Sequence, residues 1–187
     1  MFIQTERTPN PATLKFLPGR SVMTSGTANF TDAESAERSP LAKALFEIGD
    51  VTGVFLGADF ITVTKAEGAA EWMDLKPQIL GVVMQHFTSG APILLDDGAA
   101  APAAETGDDP ADADIVTQIT DLIDSKVRPA VARDGGDILY KGFRNGVVYL
   151  HMQGSCSGCP SSTATLKGGI ETLLKHYVPE VREVRAI

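Results

Sequence analysis

Two thiols define the chemistry open to this chain. Cys156 and Cys159 are its only cysteines, and they stand three apart in Gly154-Ser155-Cys156-Ser157-Gly158-Cys159-Pro160. A pair so close in sequence is a poor structural staple. It suits thiol–disulfide exchange, half of a zinc site or half of an iron–sulfur site. The segment falls between a predicted strand and a predicted helix. Both sulfurs are therefore expected where free backbone N–H groups and the positive helix end lower a thiol pKa. Gly154 and Gly158 let the backbone turn tightly and offer N–H groups to a ligand, and Pro160 suits the first position of a helix. The expectation is an exposed pair of thiolates on a loop placed to meet something negative or metallic.

Two thiolates leave a metal site incomplete, since structural zinc takes four ligands and iron–sulfur clusters are usually held by four cysteines. His151 lies on the strand before the loop and reads as part of its polar face. His176, far down the next helix, and His86, in another region, read as ordinary helix residues. The missing ligands come most simply from a second copy of the chain, giving four sulfurs across a two-fold axis. A cluster shared in this way has exposed edges and can be released. The spacing by itself leaves the three uses open. Context argues against two of them: no aromatic precedes Cys156 as in thioredoxin-like motifs, and no second CxxC completes a zinc ribbon. No P-loop, HExxH or nucleophile elbow is present, and nothing resembles an enzyme.

The elements that must position this loop form a C-terminal domain, residues 112–187. Ile115, Ile119, Leu122 and Ile123 follow helical spacing, and that helix is expected to stop before Pro129. Asp137–Phe143 and Val147–Gln153 read as a hairpin around Arg144-Asn145-Gly146, where Asn-Gly supplies positive φ. Val148, Leu150 and Met152 share one face of the second strand; Tyr149, His151 and Gln153 share the other. Residues 161–177 read as a helix with Ala164, Leu166, Ile170, Leu173, Leu174 and Tyr177 as its apolar set. Residues 181–187 close the sheet. The order αββαβ gives a three-stranded sheet with two helices on one face. Arg133-Asp134-Gly135-Gly136-Asp137 reads equally as a functional loop or a tight turn. Neither cysteine belongs to an apolar face, so serine substitution of either is expected to spare the fold.

Residues 1–95 form an N-terminal domain of mixed strands and helices. Leu14–Leu17 is a strand between two prolines, and Ser39-Pro40 opens a helix to about Ile48. Val51–Leu56 and Phe60–Lys65 pair as a hairpin. Glu71–Phe87 is a helix with Trp72, Leu75, Ile79, Val82, Val83 and His86 near one face, interrupted in principle by Pro77. Between the domains, residues 96–111 contain no Val, Ile, Leu or aromatic and carry five acids without a base. Such a stretch cannot offset its ordering entropy, and it is expected to be a flexible linker. The whole is an α+β chain of two small domains.

The net charge of −8 argues against nucleic-acid or anionic-membrane binding. No apolar run is long enough for a transmembrane helix. The first residues show neither a secretory signal nor a transit peptide, which leads to the expectation of a cytoplasmic protein, either from a bacterial cytoplasm or a processed form.

Val127-Arg128-Pro129, Asp134-Gly135-Gly136-Asp137, the Gly154–Ser162 loop and Thr165-Leu166-Lys167 resemble the C-terminal domain of NifU. Thr8-Pro9-Asn10-Pro11, Leu14-Lys15-Phe16, Ser39-Pro40-Leu41-Ala42 and Asp59–Lys65 resemble the Nfu N-terminal domain. The resemblance implies a non-enzymatic scaffold or carrier for a 4Fe–4S cluster, although four cysteines also suit 2Fe–2S. It implies Cys156 and Cys159 as cluster ligands in a homodimer formed on cluster binding. It further implies apo iron–sulfur proteins and upstream assembly proteins as partners, with the N-terminal domain recognising them.

Overall fold

The computed structural model describes residues 2–95, 108–157 and 160–187, with side chains from residue 163 onward in the last stretch. The chain divides into two compact units, residues 1–100 and 101–187. Both combine helices and sheets, so the fold is α+β.

The first unit is built on five antiparallel strands. These are β1 (Gln4–Arg7), β2 (Thr13–Leu17), β3 (Ala28–Phe30), β4 (Val51–Leu56) and β5 (Ile61–Lys65). Their order in the sheet is β1-β2-β5-β4-β3. The β4–β5 pairing is the hairpin read from sequence, with Leu56 opposite Ile61. A short helix, α1 (Ala33–Ala36), is capped by Asp32. Helix α2 (Pro40–Phe46) starts as Ser39-Pro40 predicted, with the Ser39 hydroxyl accepting the Ala42 N–H. Helix α3 (Trp72–Ser89) runs unbroken through Pro77 and ends at Gly90, whose φ of 70° stops it. The proline is tolerated because the carbonyl it leaves free belongs to Met73, in the exposed first turn. Leu41, Leu45, Leu75, Ile79 and Val83 close over Phe16, Val54, Leu56, Ile61 and Val63 to make one core.

The second unit has a three-stranded sheet of β6 (Gly136–Arg144), β7 (Val147–Gly154) and β8 (Glu183–Ala186). β6 and β7 are antiparallel, and β8 joins β7 in parallel. The hairpin turn takes φ of 52° at Asn145 and 81° at Gly146, as Asn-Gly predicts. The ladder slips between Tyr140 and Gly142, and this bulge reverses the side-chain parity. Ile138 and Phe143 can then both face the core despite their odd separation.

The helical side begins with α4 (Ala113–Leu122) and α5 (Arg128–Arg133). They are joined by a π turn over Ile123–Val127 rather than by the break expected before Pro129. In that turn the Arg128 N–H bonds five residues back to Ile123, so the widened backbone accommodates the proline ring without ending the helix. Helix α6 (Pro160–Tyr177) buries Ile170 and Leu174. Two members of its expected apolar set are not in the core. Ala164 is exposed and Tyr177 is half exposed. The latter lies in the last turn, where Lys126 Nζ sits 5.4 Å from its ring centroid.

Most of the expected linker, residues 96–107, lies outside the described residues. Residues 108–111, assigned to it by composition, instead join the second unit. Asp108 Oδ1 accepts from the Tyr140 hydroxyl and the Phe143 N–H, both at 2.7 Å. Asp109 then caps a short 3-10 turn at Pro110–Asp112.

Candidate functional site

The cysteine loop starts where β7 ends. Gly154 turns the chain with φ of 67°, and the Ser157 N–H closes the turn onto the Gly154 carbonyl at 3.1 Å. The loop is fastened to the segment ahead of β6. Ser155 donates its N–H to the Gly135 carbonyl at 3.2 Å and its hydroxyl to the Asp134 carbonyl. From the other side, the Thr163 hydroxyl of α6 donates to the Cys156 carbonyl at 3.1 Å. Asp134-Gly135-Gly136 is therefore a receptor for the cysteine loop as well as a tight turn.

Cys156 is not the exposed thiolate that the sequence led us to expect. Only 6% of it is accessible, and it packs in the same core as Ile138, Val148, Leu150 and Ile170. The thiol is stacked on Gly136: a Cβ there would fall 2.8 Å from Sγ and 2.6 Å from the Gln153 carbonyl oxygen. Burial pushes the thiol pKa up to about 11; the Ser155 hydroxyl opposes this, and the charges of Asp134 and Asp137 add to it. Desolvation outweighs any benefit of the nearby helix start, because the sulfur is turned into apolar packing. Cys159 and Gly158 lie outside the described residues.

Below the loop, the Asp137 carboxylate is 4% accessible and is held by Arg128. This pair ties α5 to β6 next to Gly136. The sequence reading left Arg133–Asp137 undecided between loop and turn. The missing signal was the pairing of Arg128 with an acid nine residues later, which no local periodicity displays.

Each histidine has surroundings of its own. His151 Nδ1 is 2.8 Å from the Ile187 carbonyl oxygen, and His176 stacks edge-on against Tyr177. His86 is buried in the first unit. Among the described residues, no group of three or more His, Cys, Asp or Glu could hold a metal ion. No helix among them is long and apolar enough to cross a membrane. The first unit carries an open groove of about 460 Å³ beside edge strand β1, walled by Leu14, Trp72 and Met73, with Arg7 and Lys76 among its lining.

Comparison with known proteins finds relatives of the sequence. Residues 3–90 match the family model described as scaffold protein Nfu/NifU N terminal, and residues 119–185 match the NifU-like domain. The chain is 47% identical over 187 residues to the human NFU1 iron-sulfur cluster scaffold homolog, mitochondrial, covering 72% of that protein. It is 50% identical over 188 residues to the Drosophila sechellia protein of the same name, of which it spans 65%. The solution structure of a NifU-like protein from Saccharomyces cerevisiae overlaps 52% of this chain and 87% of that one, at 26% identity and a TM-score of 0.46. The expectation of a bacterial cytoplasm is overturned, since the relatives matched over the full chain are named as mitochondrial proteins. The first residues of a chain that spans part of its relatives carry no information on targeting.

Proposed function

Because the chain belongs to the Nfu/NifU iron–sulfur scaffold family, we propose that it is a non-enzymatic carrier of a 4Fe–4S cluster held between two copies of the chain. The cluster is cargo. Cys156 and Cys159 from each copy supply four thiolates, which meets the usual ligand number of such clusters. One observation carries the reading. The only two cysteines of the chain occupy the single loop that joins β7 to α6, inside the matched NifU-like domain. In this reading residues 108–187 bind the cluster, residues 96–107 link the two units, and residues 1–95 recognise partners. Those partners are apo iron–sulfur proteins and the assembly proteins upstream.

The buried thiol also bears on the main alternative. A thiol–disulfide enzyme needs an accessible, acidified attacking sulfur. Cys156 is buried and its pKa is raised, which makes it a poor nucleophile.

The test is anaerobic reconstitution with iron and sulfide, followed by native mass spectrometry and iron counting. A dimer with about four irons and four sulfides is expected. A monomer without iron, carrying an oxidised Cys156–Cys159 pair, would overturn the proposal.

A further inference from the structure

A ligand to a cluster shared by two chains must reach the surface, yet Cys156 is 6% accessible and packed in the core of its own chain. What makes room for it is an absence. Gly136 has no side chain, and any Cβ added there would meet Sγ at 2.8 Å and the Gln153 backbone oxygen at 2.6 Å. The second restraint is polar: the Ser155 hydroxyl and N–H hold the turn to the Asp134 and Gly135 carbonyls. The third is the fixed floor, because Arg128 anchors Asp137 directly after Gly136. The space over Gly136, the Ser155 bonds and the fixed floor thus together hold the sulfur inward.

We propose that Gly136 is a positioning residue for Cys156, giving its thiol a seat in the core of the cluster-free chain, so that cluster uptake requires the Ser155–Cys156 turn to swing outward. The inference rests on the carrier reading given above. Loading then releases the S–H proton to solvent, forms an iron–sulfur bond in place of the bond from that iron to its previous ligand (water or a donor's thiolate), and breaks the two Ser155 contacts. Unloading returns a proton to the sulfur and lets it fold back over Gly136. The seat protects the empty chain from oxidation and favours release of cargo, because the ligand has somewhere to go.

The test uses the full chain, metal-free, with Cys159→Ser so that Cys156 is the only thiol. Its alkylation by iodoacetamide is timed at one pH in native buffer and in concentrated urea. Protection of at least about tenfold in the folded chain is expected, because reaction must wait for local opening. Ser155→Ala, which removes the hydroxyl's contacts to the Asp134 carbonyl and to Cys156 Sγ with little change of shape, should speed alkylation about 3- to 10-fold in the folded chain. Gly136→Ala should speed it further, with the far-ultraviolet circular dichroism retained. Should Gly136→Ala not fold, Ser155→Ala decides. Alkylation of the folded chain at the urea rate overturns the inference, and so does unchanged protection in the folded Ser155→Ala chain. Failure of the carrier reading is scored separately, as the absence of iron uptake by the unaltered chain.

Discussion

Arg128 and Asp137 meet as a two-pronged ion pair, with Nε on Oδ1 and Nη2 on Oδ2, both at 2.8 Å. The Asp137 side chain is 5% exposed and that of Arg128 is 35% exposed, so the acid is the partner that cannot turn to water. Oδ1 also accepts the Ile138 N–H at 2.8 Å, while Asp124 takes Arg128 Nη1 at 3.2 Å. The planar fork of arginine is required for this geometry. The pair fastens the helical layer to the first residue pair of β6, beneath the seat of Cys156.

Removing the fork leaves a buried carboxylate without its cation. Arg128→Ala is expected to destabilise the second domain by about 1.5–3 kcal/mol, the usual range for a charge-assisted bond, and Arg128→Lys by somewhat less. Urea unfolding followed by circular dichroism measures both. A change below about 0.5 kcal/mol for Arg128→Ala would show that water replaces the arginine.

Cys156→Ser is expected to cost stability as well as cluster binding. The sequence suggested that serine would be harmless to the fold, but the sulfur sits in apolar packing and a hydroxyl there lacks comparable surroundings. A loss of about 1–3 kcal/mol follows from burying a hydroxyl among apolar side chains, with the Ser155 hydroxyl 3.9 Å from the sulfur position as its polar neighbour. Cys156→Ala should fold better than Cys156→Ser and bind no cluster. Equal unfolding midpoints for the serine variant and the parent would contradict this.

His86 gives the first domain a dependence on acid. Its Nε2 is buried with no hydrogen-bond partner among the described residues, and burial holds the imidazole below its ordinary value. The unfolded chain takes up the proton near pH 6.5 while the folded chain resists it, so the unfolded state binds more protons there. Stability is therefore full above about pH 6.5 and falls as the pH drops below it. His86→Leu should flatten that dependence and be neutral or stabilising by up to about 1 kcal/mol. Trp72, the only tryptophan of the chain, reports this domain by fluorescence. A parent domain whose urea midpoint is the same at pH 5 and pH 7.5 would refute the assignment.

Asp108 should behave as part of the second domain. Asp108→Ala leaves the Tyr140 hydroxyl and the Phe143 N–H without their acceptor. A loss of about 1–3 kcal/mol is expected in urea unfolding. Tyr140, whose pKa is raised by burial and then by Asp108, should also ionise at lower pH in this variant. Spectrophotometric titration of tyrosine checks that shift.

The elements legible in the sequence are those with a local cause. Asn145-Gly146 must turn with positive φ, Ser39-Pro40 must open a helix, and the alternation Val148, Leu150, Met152 must face a core. Each depends on residues within a few positions, where backbone sterics and periodicity act. The break predicted at Pro129 failed because a π turn over five preceding residues absorbs the ring, and no local rule signals that turn.

The sequence by itself determined which chemistry was possible: two sulfurs, three apart, between a strand and a helix, in a chain with no other cysteine. It also determined the α+β class and the two units, because composition and hydrophobic period are written residue by residue. Only the tertiary structure decided where the Cys156 sulfur points. That depends on Gly136, twenty positions earlier, coming to lie beneath it through strand pairing, and on desolvation, which belongs to a packed core and not to a motif.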